Sequence, residues 1–114
     1  MNTLPEKNKL VRGALLSSIL EIDKLYEVEL DNQKANQLLD ASEKLHENLV
    51  TVMKNQLIGT SDELIEALTS LNSLTTYCKQ AQQDLEKVLL VINKVTDTLD
   101  KVSKVVSKAA DVLS

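Results

Sequence analysis

Counting by sevens from Leu64 meets Leu71, Cys78, Leu85, Ile92, Leu99, Val106 and Leu113, and three residues after each stand Ala67, Leu74, Ala81, Val88, Val95, Val102 and Ala109. All are apolar or a thiol. A repeat of seven held in phase for so long requires about 3.5 residues per turn, which predicts a helix that supercoils left-handedly against its neighbours. A kink near residue 84 would give the two halves no reason to share a register. The pattern therefore predicts one helical arm over about 62–113, roughly 80 Å long at about 1.5 Å per residue.

Upstream, Leu38, Leu45 and Val52 also recur at seven, with Ala41 and Leu49 between them, and Leu15, Ile19, Ile22 and Tyr26 follow helical spacing. Thr3, Pro5 and Glu6 form a helix-start signature, in which Thr3 is the N-cap and Glu6 the reciprocal carboxylate. Gly59 ends a helix, and Thr60 with Glu63 repeats the capping spacing for the next. These signals predict a first arm over about 4–57, a turn at 58–61 and the second arm beyond it. Reflection about the turn pairs residue 38 with about 81, so the arms match in length as an antiparallel hairpin. The polar stretch DNQKANQ at 31–37 admits either a patch inside one long helix or a break at 31–33, with Asp31 or Asn32 as the new cap.

A seam between two helices needs only two apolar positions in seven. The last third of the chain has more, since Leu89 and Ala110 extend one flank and Val91, Val105 and Val112 the other. Leu16, Leu20 and Leu25 widen the N-terminal face in the same way. Each arm thus needs further helices, most simply from a second copy. The fold expected is all-α, a long heptad-repeat hairpin dimerising into a four-helix bundle. The expected partner interface is Val91, Val105, Val112, Leu89, Leu16 and Leu20. The alternative breaks the chain near 31–33 and again near 82–85, with Asp84 as a new N-cap, and gives a compact up-and-down monomer of three or four helices.

Composition agrees with helices and narrows the function. Two glycines and one proline in 114 residues leave almost no punctuation for strands and tight turns. Phe and Trp are absent and only Tyr26 and Tyr77 are aromatic, so the core is aliphatic and no base-stacking platform exists. Seventeen acidic and thirteen basic residues are interspersed, with no basic track for phosphates, so nucleic acid is not an expected partner. Cys78 is the only cysteine, which fits a reducing compartment. The longest apolar run, VLLVI at 88–92, is far shorter than a bilayer span. KLVRGALLSSIL runs on into EIDKLYEVELD with no small-residue cleavage site, so a cytoplasmic protein without a signal peptide is expected.

Few residues suggest chemistry. His46 follows Glu43 at the i, i+3 spacing of di-iron carboxylate bundles, but it is the only histidine, and Leu45 occupies the seam; an exposed histidine is expected. Cys78 lies at a core position beside Tyr77 and Lys79 and reads as a small buried hydrophobe. Lys87, Lys94, Lys101 and Lys108 recur at seven, opposite the seam, and pair with acids such as Asp97 with Lys101 and Asp100 with Lys104. Thr75, Gln82 and the 31–37 segment are expected to face one another and set register.

No catalytic residue, cofactor or metal ligand is assigned. The expected function is a non-enzymatic helical interaction or structural module that self-associates as a dimer, with another helical protein as the alternative partner. A membrane-surface amphipathic protein is the alternative function. The lysines lie opposite the apolar face rather than beside it, and no Trp or Phe is available to enter lipid, so it ranks second.

Overall fold

Helices form wherever apolar residues recur at three and four, and they stop where a carboxylate offers the backbone an alternative partner. A computed structural model describes the backbone of residues 4–54 and 61–113 and the side chains of 9–53 and 62–105. It contains helices α1 (Leu4–Val28), α2 (Asn32–Lys54), α3 (Ser61–Gln83) and α4 (Val88–Leu113), the last preceded by a short 3-10 turn, Leu85–Lys87. Among the described residues all regular structure is helical. Thr3, Gly59 and Thr60, which carry the expected caps and turn, lie outside the described residues.

The first break comes at 29–31. The Glu29 N–H still bonds to the Leu25 carbonyl, and Asp31 then caps α2, its Oδ1 accepting from the Lys34 N–H at 2.9 Å. That is an N-cap to N3 bond, which satisfies a donor at the helix start that has no partner within the helix. The second break is at Asp84, whose backbone is extended at φ −148° and ψ 95° and whose side chain accepts from the Glu86 N–H. Both carboxylates lie where the polar segments admitted a cap.

The two breaks replace the continuous arms with four helices, and the molecule measures 42 × 29 × 18 Å. A helix of roughly 80 Å does not fit in that envelope. The chain therefore takes the compact four-helix form in place of the long hairpin. Helix α1 packs on α2 and α3, and α4 packs on α3 and α2, so α2 and α3 stand at opposite corners. Leu38 and Ala81, paired by the expected hairpin, thus belong to helices that do not pack together.

Connections and hydrogen bonds give the directions. The short connections at 29–31 and 84–87 fold α2 back on α1 and α4 back on α3. Each of these pairs is antiparallel and bridged by one site, Asp23 with Ser42 and Ser70 with Thr98. Ser18 with Thr75 and Glu21 with Gln82, in contrast, advance together and make α1 and α3 parallel. It follows that α2 and α4 are parallel as well.

One apolar cluster fills the centre. Leu15, Ile22, Leu25, Leu38, Leu45, Leu71, Leu74, Val88 and Val91 are among its fully buried side chains. The stripe read for α2 (Leu38, Ala41, Leu45, Leu49, Val52) is buried throughout, as is the α3 stripe from Leu64 to Ala81. Helix α4 departs from expectation. Its deepest residues are Val88, Val91, Val95, Thr98, Val102 and Val105, while Leu85, Ile92 and Leu99 of the extrapolated seam are only partly buried. Since α4 contacts two helices, it needs a stripe wider than two positions in seven. It has turned so that Val91, Thr98 and Val105 enter the core and the other flank faces outward.

Candidate interaction surfaces

The expected interface residues do not form one surface. Val91 and Val105 are fully buried among the chain's own helices, so within this fold neither lies on an outer face as expected. Folding back at Asp84 supplied the extra neighbours their flank required. Leu16 and Leu20 are 49% and 52% exposed on α1, and Leu89 is 52% exposed on α4. Helices α1 and α4 occupy opposite corners, so these residues lie on separate faces. The side chain of Val112 lies outside the described residues.

Open grooves run between the helices, two of them of similar size. One, of about 690 Å³, lies between α2 and α4; it is floored by Ala41, Ile92, Val95 and Leu99 and edged by Gln37, Asp40 and Thr96. Ile92 and Leu99, the residues that α4 turned outward, lie in this floor. The other, of about 680 Å³, lies between α1 and α3 and is lined by Leu10, Gly13, Ala14, Ser17 and Leu68 among others.

Polar contacts in the bundle are placed unevenly. Ser18 on α1 donates to the Leu71 carbonyl at 3.1 Å and lies 2.9 Å from the Thr75 hydroxyl. Nearby, Gln82 Nε2 donates to Glu21 Oε1 at 3.0 Å. On the other side of α3, the Ser70 and Thr98 hydroxyls are 2.7 Å apart, and Ser42 donates to Asp23 between α2 and α1. Thr75 and Gln82 therefore set register against α1, and not against the 31–37 segment as expected. Among the described residues no side-chain hydrogen bond joins α2 to α4.

Sequence reasoning missed Ser18, Ser42, Ser70 and Thr98, all of them buried. An apolar count passes over hydroxyls. The available signal was position, because Thr98 lies seven residues from both Val91 and Val105 on the flank that turned inward.

The titratable groups follow from these surroundings. Glu21 lies below the usual carboxylate range, chiefly because Gln82 donates to it, with Lys24 adding to the effect against the opposing cost of burial. Asp97 is lowered by Lys101 and then Lys94, both of which hydrogen-bond to the same Oδ2. The expected Asp97–Lys101 and Asp100–Lys104 pairs form at 3.2 and 3.7 Å. Burial pushes the Cys78 thiol up to about 12, assisted by the negative charge of Glu21. At neutral pH it is a protonated core residue and a poor nucleophile.

His46 is exposed, with Leu45 beside it in the core. Among the described residues, no three His, Cys, Asp or Glu side chains gather as a metal site. Among the described residues no helix is long and apolar enough to cross a membrane.

No protein-family model matches the chain, and no curated protein or solved structure matches it either.

Proposed function

We propose that this chain is a non-enzymatic helical interaction module that associates with a second copy of itself. The observation that carries the reading is the apolar surplus of α4. With Val88, Val91, Val95, Val102 and Val105 already buried inside, the same helix still presents Leu89 and Leu90 at 52% and 58% exposure and lines an open groove with Ile92 and Leu99. Scattered exposed leucines are ordinary on a protein surface. Helix α1 exposes Leu10, Leu16 and Leu20 as well, but on α4 two leucines adjoin beside a groove on a helix that has already placed five valines in the core.

The absence of an assigned chemistry rests on the state of the reactive groups. Cys78 is buried and protonated, and His46 stands on an outer face. The contacts that specify the bundle are hydroxyl and amide pairs, which orient helices without activating a nucleophile.

Light scattering across a wide concentration range tests the proposal. A dimer that dissociates on dilution is the expected result, and a monomer up to the solubility limit would overturn it. Binding to anionic vesicles that vanishes at high salt, with no dimer in solution, would replace it with the membrane-surface reading.

A further inference from the structure

The joint between α3 and α4 is closed by a local cap in place of the i to i−4 ladder of the helices it separates. The Asp84 N–H still bonds back into α3, to the Gln80 carbonyl at 3.1 Å and the Ala81 carbonyl at 3.2 Å. Only after this residue does the ladder fail. The fold-back is held by the Glu86 N–H on Asp84 Oδ1 at 3.2 Å and the Lys87 N–H on the Asp84 carbonyl at 3.0 Å. No glycine or proline lies between Ser61 and Ser114, so nothing covalent forces the break.

The sequence across the joint independently favours a straight helix. Cys78, Ala81, Leu85, Val88, Ile92 and Val95 follow one another at steps of three and four through the turn. Two helices joined by a tight turn have no need to share a phase, but one continuous helix does. In a straightened helix, Leu85 completes the stripe between Ala81 and Val88. The N–H groups of residues 85–88 would then bond to the carbonyls of residues 81–84 in place of a local cap.

We propose that α4 exchanges between two copies of the chain by straightening at Asp84, so that each copy's α4 packs on the α2 and α3 of the other. The proposal rests on the self-association reading and names its route. Exchange keeps the packing of α4, since among the described residues α3 and α2 are the only α-helices it contacts and symmetry reproduces those contacts; only the local contacts of the 3-10 turn change. Helix α1 keeps its contacts with α2 and α3. Each copy gains a continuous α3–α4 helix, which is the form the heptad count describes. Short hinge loops are known to favour such exchange.

The pair Ser70 and Thr98, whose hydroxyls are 2.7 Å apart across α3 and α4, gives the decisive test. Ser70→Cys and Thr98→Cys are introduced together with Cys78→Ala, the protein is oxidised at high concentration, and it is examined by non-reducing gel and light scattering. Exchange predicts covalent dimers. A dimer by scattering whose chains run as monomers on the gel would overturn exchange and leave self-association standing; monomers in both assays would overturn both.

Two hinge variants provide a second test. Asp84→Ala removes the cap and should tighten dimerisation by about tenfold. Leu85→Pro suits the fold-back, because Asp84 is already extended as a residue before proline must be, yet it would clash inside a continuous helix. That variant should be monomeric with helicity retained in circular dichroism. An unchanged dimer affinity in both variants would overturn the proposal.

Discussion

The two parallel helix pairs, α1 with α3 and α2 with α4, are held in different ways. Between α1 and α3, Ser18 reaches both the Leu71 carbonyl and Thr75, and Glu21 meets Gln82, so the two helices cannot slide without breaking buried or half-buried hydrogen bonds. Between α2 and α4 no side-chain bond crosses among the described residues, and Ile92 and Leu99 lie partly open in the groove. The same aliphatic chemistry thus yields one fixed interface and one adaptable one. Apolar contact is nondirectional, and it is the hydroxyls and amides that select a register.

The largest break in this contrast should come from the fixed side. Leu71→Ala removes a fully buried side chain beside Ser18 and should cost about 3 kcal/mol in urea unfolding. Leu99→Ala, in the open groove, should cost only about 1 kcal/mol. Equal losses would mean that the two interfaces are packed alike.

Next in size is Ser18→Ala. It removes the donor to the Leu71 carbonyl and strips Thr75 of a partner, for an expected loss of about 1–2 kcal/mol. Thr98→Val should cost a similar amount through the Ser70 hydroxyl. If Ser18→Ala proves neutral, hydroxyl pairing does not fix the α1–α3 register.

The smallest effect concerns pH. The carboxyl of Glu21 titrates below its ordinary value in the folded chain, so its contribution is present above the ordinary range near 4.5 and fades as pH falls through the folded value. Gln82→Leu should move the Glu21 titration upward in an NMR titration and flatten the acid limb of the stability curve. An unmoved titration would show that Gln82 is not the main cause.

The stripes of α2 and α3 were legible because a helix buried on one side must repeat its apolar residues at that side's period, and both did so from Leu38 to Val52 and from Leu64 to Ala81. The Asp31 cap was legible for a similar local reason. Val91 and Val105, two of the candidate interface valines, are buried within the chain, because a wide apolar face shows how many neighbours a helix needs but not whose they are. Ser18, Ser70 and Thr98 were invisible to an apolar count, since a hydroxyl is at home in the core only when a partner stands opposite, and that partner lies more than twenty residues away.

Local sequence determined that the chain is helical, which face of each helix is apolar, and where a carboxylate is able to cap a new helix. Tertiary structure decided whether the cap at Asp84 is used. The heptad phase through residues 78–95 suits a straight helix, whereas burying Val91 and Val105 within one chain demands a fold-back. The balance rests on one side-chain cap set against the ordering cost of association, and no residue near Asp84 encodes it alone, because the helices that cover α4 come from elsewhere in the chain.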